Sequence, residues 1–217
     1  MAAGDGGWVC DAESVTRGRL LRAAAVLVVA LAVVIGIRQA PKSERPGRAP
    51  STHETAGARH RAPAPLRELY AKGDALRHLQ GDDFVATVRR LRGYPVVINK
   101  WASWCKPCRE EFPMLRRMSA KYGDRVAFIG INAGDSNKPA RAFLRENPTL
   151  YPHVIDPSEQ ISGALHAGRV FPSTIFLDRD ANIVKVSPGP FPTQAKLEQA
   201  IRRYALAEHA VRPAGTG

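Results

Sequence analysis

Residues 101–113 read Trp-Ala-Ser-Trp-Cys-Lys-Pro-Cys-Arg-Glu-Glu-Phe-Pro. The two thiols in this run, Cys105 and Cys108, stand in a Cys-x-x-Cys spacing. On a helix, residues three apart share one face, so the two sulfurs can meet. A thiol facing a helix N-terminus meets unpaired N–H groups and the positive end of the dipole. Such sites lower a cysteine pKa from about 8.5 towards neutrality, and the thiolate is the nucleophile. Lys106 adds a positive charge beside Cys105. A mixed disulfide formed at Cys105 can then be attacked by Cys108, which releases the product. The chemistry predicted is dithiol–disulfide exchange.

Other uses of a Cys pair make different demands. A structural zinc site needs four ligands, and the chain has no second Cys pair, while its six histidines (His53, His60, His78, His153, His166, His209) are scattered. Covalent haem attachment needs His after the second cysteine, where this chain has Arg109. A purely structural disulfide across so short a loop restrains the unfolded chain little.

The elements around the pair follow from hydrophobic pattern. Residues 66–92 show helical spacing in two pieces, with a break expected at Gly81-Asp82-Asp83. Residues 94–101 form a continuous apolar, β-branched run of strand length. A helix is expected from Cys105 to about Lys121, stopped by Tyr122-Gly123. A second buried strand covers 125–132, a helix 138–146, a short strand 153–156 and a helix 157–167. Strands at 173–178 and 183–186 are joined by a turn at 179–182, and an amphipathic helix over 192–207 closes the chain. The order β-α-β-α-β-α-β-β-α implies an α/β fold with a mixed central sheet flanked by helices.

The chain has 217 residues and a net charge of +12. Residues 1–65 hold 9 Lys+Arg against 5 Asp+Glu, and residues 66–217 hold 23 against 15. The excess is diffuse, with no basic run and no aromatic interleaving, so no nucleic-acid partner is expected. Three cysteines cannot staple a disulfide scaffold, and a hydrophobic core must hold the fold. The third, Cys10, reads as a bystander.

Residues 23–37 are an unbroken apolar run, AAAVLVVALAVVIGI. Counted from Leu20, with Arg22 free to snorkel, the run spans about 27 Å as a helix, enough for a thin bilayer. Its polar lead and its Arg38-Gln39-Ala40-Pro41 exit lack a signal-cleavage pattern. It reads as an uncleaved anchor. Basic residues on both sides leave its orientation open. The Pro-, Arg- and Ala-rich stretch that follows reads as a tether.

Taken together, WASWCKPCREEFPML resembles the membrane-anchored thioredoxin-like thiol:disulfide oxidoreductases of bacteria, the TlpA/ResA type, from about Gly93 to Ala207. The resemblance implies a thioredoxin-like fold, with Cys105 attacking and Cys108 resolving. The segment 168–174 resembles the family's cis-proline loop, which makes Pro172 the cis proline. Such a proline would expose backbone to a substrate strand. Phe171 would tune access. Trp101 and Trp104 would frame the site, and Lys106 and Pro107 would join them and Phe171 on the substrate-binding face. Glu111 matches an acid that handles protons in reductive members. Two positions depart from the pattern. Asn99 stands where thioredoxin has a buried Asp, which shifts proton handling towards Glu111. Lys100 stands where an aromatic residue is usual, and it must reach an edge or a partner, because burial of an unpaired charge is costly.

The resulting expectation has five parts: a cytoplasmic segment 1–19, a transmembrane anchor 20–37, a flexible tether 38–65, a thioredoxin-like domain 66–209 and a disordered tail 210–217. The catalytic domain would face outward from the bacterial cytoplasmic membrane, where exported thiols need managing. No cofactor beyond the redox-active Cys105–Cys108 disulfide and no metal is expected. The partners would be exported protein thiols or disulfides and a membrane redox donor or acceptor. The function expected is exchange with exported proteins, leaning towards reduction of the cytochrome c maturation type. The alternatives are a disulfide-donating oxidase of the same fold and a copper-binding chaperone for oxidase assembly, since thiolates suit Cu(I), with His166 as the nearest added ligand.

Overall fold

The computed structural model describes residues 52–206. The expected cytoplasmic segment, the anchor, the first part of the tether, the tail and Cys10 lie outside the described residues. No helix among the described residues is long and apolar enough to cross a membrane.

The chain opens with α1 (Thr52–Arg61) and α2 (Ala64–Tyr70), then β1 (Leu76–His78), α3 (Gly81–Arg89) and β2 (Val96–Trp101). It continues through α4 (Lys106–Tyr122), β3 (Ala127–Ala133), α5 (Asn137–Glu146), β4 (His153–Asp156) and α6 (Gln160–Ala164). The strands β5 (Ser173–Leu177) and β6 (Ile183–Pro188) precede α7 (Gln194–Ala200), which runs into a π-helical turn at Ile201–Leu206. One six-stranded sheet has the order β1-β4-β3-β2-β5-β6. The strands β1, β4, β3 and β2 pair in parallel, while β5 runs antiparallel to β2 and β6 antiparallel to β5. The expected mixed sheet is therefore the one observed. Both central strands, β2 and β3, are buried along their whole length, which is why they read as continuous apolar runs rather than alternating ones. The edge strand β6 carries exposed residues such as Lys185.

Two expectations are corrected at the N-terminal side. Residues 52–61 of the expected tether form a helix, and Ala58 and Ala62 are buried in the main core. Small side chains allow this: an Ala-bearing helix face can lie close against α4 without large apolar residues of its own. Gly81-Asp82-Asp83 does not break a helix but starts one, with both acids in the first turn of α3, where the helix dipole favours negative charge. The break comes earlier, at residues 71–80, and contains the edge strand β1.

The face of the sheet under α4 carries a buried polar residue among aromatic rings. His153 is fully buried. The Trp101 indole N–H donates to His153 Nδ1 at 3.0 Å. The proton then resides on Nε2, which lies 3.0 Å from Thr149 Oγ1, and that hydroxyl donates to the Tyr151 carbonyl at 2.6 Å. Burial pushes the His153 pKa down to about 3, so the ring stays neutral. Gly130 on the neighbouring strand makes the room, because a Cβ there would stand 1.9 Å from His153 Nδ1. The ring is held at both nitrogens and cannot yield. Gly130→Ala is expected to cost about 3 kcal/mol, the upper part of the overpacking range, read as a lowered urea midpoint with an unchanged slope.

Candidate active site

The Cys pair sits where β2 ends and α4 begins. Cys105 is the N-cap of α4, and its Sγ accepts the backbone N–H of Cys108 at 3.2 Å. The two sulfurs are joined in a disulfide with the Cα atoms 5.3 Å apart. A capping sulfur collects the helix N–H that would otherwise lack a partner. In the reduced protein the same N–H stabilises a thiolate on Cys105. The asymmetry between the two cysteines is thus built into the cap: Cys105 receives the donor and Cys108 supplies it.

The loop before Cys105 is braced from the turn after β3. Asp135 Oδ2 accepts the Ser103 N–H at 2.6 Å and the Asn132 amide at 2.9 Å, and Oδ1 accepts the Ser136 N–H at 2.7 Å. Burial pushes this carboxyl up, but the hydrogen bonds from Asn132, Ser103 and Ser136 outweigh it and hold it below the ordinary carboxylate range. Asp135 was not among the expected site residues. The sequence marks it only as one polar residue in a Gly-Asp-Ser turn, and its partner lies 32 positions away.

Opposite the disulfide, the Phe171–Pro172 peptide bond is cis, as the resemblance implied. Pro172 is buried and Phe171 half-buried. Phe171 packs against the cluster that holds both cysteines, with its ring 5.1 Å from that of Trp104. Trp104 is 60% exposed, its indole N–H bonded to the Gly134 carbonyl at 3.0 Å. Val170 is 48% exposed. Trp104 and Phe171 form an apolar rim beside a buried disulfide, and the exposed Val170 precedes Phe171 in the chain. The β5 ladder begins at Ser173, so the backbone of Phe171 lies ahead of it.

One expected member of that face is placed elsewhere. Trp101 is fully buried, packed on Phe112, Phe143 and His153. It supports the site from beneath and cannot touch a protein substrate, because side chains on a strand alternate and its neighbour Lys100 takes the other face. Lys106 points into solvent and pairs loosely with Glu110 at 3.9 Å. So exposed a pair contributes little, and the helix N-terminus, rather than Lys106, polarises Cys105. Pro107 is exposed beside it.

Glu111 lies on α4, one turn beyond Cys108, and both are buried. Its Oε1 accepts the Phe191 N–H at 2.9 Å and its Oε2 the Asn99 amide at 3.4 Å. Burial raises its pKa to about 7 against the pull of those two donors. A carboxylic acid that titrates near neutrality behind a Cys pair suits proton exchange with a thiol. Asn99, the departure noted in the sequence, is thereby a partner of that carboxyl. Lys100 finds its partner across the sheet: Nζ lies 2.6 Å from Glu159 Oε2.

Among the described residues no group of three or more His, Cys, Asp or Glu could hold a metal ion. His153 is consumed by two hydrogen bonds, and His166 is exposed in a left-handed turn.

The chain matches a known family and is similar to several known proteins. The family model described as Redoxin matches residues 71–201. The thioredoxin-like protein YneN of Bacillus subtilis is 30% identical over 130 residues, covering 58% of this chain and 74% of that protein. The thiol-disulfide oxidoreductase ResA of Bacillus thuringiensis is 27% identical, covering 54% of this chain and 66% of that protein. A solved structure described as thiol:disulfide interchange protein DsbE of Chlorobium tepidum is 29% identical, with 52% and 81% of the two chains covered and a TM-score of 0.48.

Proposed function

The chain belongs to the Redoxin family and is a thiol:disulfide oxidoreductase, and from that premise we propose that it reduces exported proteins on the outer side of the cytoplasmic membrane, in the manner of cytochrome c maturation. The observation that carries the reading is the buried Glu111 carboxyl, raised by burial to about 7 and one turn behind the resolving cysteine, where it matches the acid of the reductive members the sequence resembles; the potential of the pair sets the direction. The apolar run at 20–37 of the sequence supports an anchored enzyme. The relatives' printed names as thiol-disulfide oxidoreductases support protein thiols as substrates.

The steps follow from the site. The Cys105 thiolate, held by the Cys108 N–H, attacks one sulfur of a substrate disulfide. A mixed disulfide forms and the first substrate thiolate leaves. Cys108 gives its proton to the Glu111 carboxylate, and its thiolate attacks Cys105 Sγ. The Cys105–Cys108 disulfide forms and the second substrate thiolate leaves, taking up a proton. Two electrons pass from the enzyme dithiol to the substrate. A dithiol donor at the membrane restores the reduced pair. The substrate segment lies along the Phe171 backbone with its side chains over Trp104 and Val170.

Acid-quenched alkylation of the full chain in its own cells, in a Cys10→Ala background, tests the direction. A mass-tagged maleimide counts free thiols at Cys105 and Cys108. A mostly reduced pair at steady state is the expected result. A mostly oxidised pair would make the protein a disulfide donor instead.

A further inference from the structure

Lys100 is the only Lys or Arg among the described residues whose side chain is buried. It lies on β2, directly before Trp101, and its ammonium is the meeting point of three segments. Nζ donates to Glu159 Oε2 and to the Gly168 carbonyl, both at 2.6 Å. It also sits over the Phe171 ring, 4.0 Å from the centroid. Gly168 and Phe171 belong to the loop that ends in Pro172. Glu159 enters α6 with a left-handed backbone, φ 57°. The turn after β3 closes on the same group: a Cβ on Gly134, φ +55°, would stand 3.1 Å from Glu159 Oε1 and 3.8 Å from the Phe171 ring.

Lys100 is sealed while the Glu159 side chain is 37% exposed, and an ion pair with one buried partner adds little net stability, its best-attested use being to fix one arrangement. Here the arrangement fixed is the loop ahead of the β5 ladder: the Gly189 N–H on the Pro172 carbonyl at 2.8 Å and the Ser173 hydroxyl on the Val170 carbonyl at 2.9 Å hold its far end, while Gly168 and the Phe171 ring meet Lys100. The ammonium supplies that loop with a carbonyl partner at one end and a cation–π contact at the other. We propose that Lys100 is a positioning residue for loop 168–172, which fixes the Phe171 edge on which a protein substrate lies and so sets the enzyme's preference for protein disulfides over small ones. The proposal rests on the oxidoreductase reading above. A small disulfide has no extended segment to lay along Phe171 and gains nothing from a fixed loop.

The test compares the full chain and its variants, in the Cys10→Ala background, on insulin and on glutathione disulfide. Lys100→Met keeps the side-chain length and removes the donor. Its kcat/KM on insulin is expected to fall by about 10-fold or more, the scale of a small misplacement of a positioning group, with the loss carried by KM. Its rate with glutathione disulfide is expected to stay within about 2-fold, because the Cys105 cap is untouched. Glu159→Gln keeps an acceptor beside Nζ and is expected to retain most of the insulin activity. Amide hydrogen exchange of residues 168–171 should quicken in Lys100→Met and hold in Glu159→Gln.

Equal losses on both substrates would place the effect of Lys100 on the thiolate and overturn the proposal. Unchanged exchange in the loop would overturn it as well. If Lys100→Met does not fold, Lys100→Gln, which is shorter and loses the cation over the Phe171 ring, takes its place, and the same insulin-selective loss is required of it. A wild-type chain that reduces glutathione disulfide but not insulin would sink the protein-reductase reading, while loop exchange would still decide whether Lys100 ties the loop.

Discussion

Replacing Cys108 by Ala, in a Cys10→Ala background, is expected to stop the enzyme at a covalent adduct. The helix cap predicts which sulfur carries it. Cys105 Sγ receives the Cys108 N–H, and that backbone donor survives the change to Ala, so the thiolate and its attack survive too. Resolution does not. In the native protein the second thiol is held one helical turn away, with the Cα atoms 5.3 Å apart. Even an effective concentration on the order of 1 M, far below the ceiling for well-oriented groups, exceeds ~1 mM of external thiol by about 10³-fold. Turnover on insulin is expected to drop by roughly that factor, with a one-to-one mixed disulfide visible by non-reducing electrophoresis and intact mass. Cys105→Ala should lose turnover and form no adduct. An adduct on Cys108 in the Cys105→Ala protein, with the Cys108→Ala protein inert, would reverse the assignment of the two cysteines.

Glu111→Gln is expected to make the oxidised protein more stable and the enzyme slower. The carboxyl has an ordinary value of 4.5 and is raised by burial to about 7 in the fold. Between these values the unfolded chain gives up its proton while the folded chain keeps it. Stability is therefore full below pH 4.5 and declines as pH rises to 7, by about 1.4 kcal/mol per pH unit and about 3 kcal/mol in all. Above pH 7 this contribution changes no further. Gln keeps an acceptor for the Phe191 N–H and can meet the Asn99 amide with its own, and it has no proton to lose. Urea unfolding at pH 4.5, 6 and 8 should show the decline in the wild type and its absence in Glu111→Gln.

The catalytic consequence runs the opposite way. With no carboxylate to accept the Cys108 proton, resolution of the mixed disulfide should slow on the order of 10²-fold. The wild-type rate should rise with pH through 7, and the variant should lack that inflection. A variant with wild-type rate and an unchanged pH profile would leave Glu111 a purely structural acid.

The Cys pair, its place at a strand-to-helix junction and the order of the elements were legible along the chain because each is local. Adjacent residues set the strand period of β2 and β3, and Cys-x-x-Cys needs only one helical turn. The proline in the Phe-Pro-Ser-Thr run was legible through resemblance, and its cis bond is present. The helix at 52–61 was missed because Ala, Gly and Thr give almost no periodic contrast, and its burial depends on a surface that α4 provides. Asp135 and Glu159 were missed because a carboxylate's role is set by the donor it meets, at separations of 32 and 59 residues.

Residue type and spacing alone thus specify a dithiol that can cycle, since two thiols one helical turn apart need little else to exchange a disulfide. Which aromatic faces the substrate, which lysine is buried and which acid titrates near neutrality are decided by the fold. Trp101 and Trp104 are the same residue type three positions apart, yet the first is sealed under α4 and the second stands at the rim. The Glu111 pKa is likewise a property of its surroundings. Desolvation and hydrogen bonding depend on what packs against a group, and packing brings together parts of the chain that sequence keeps far apart.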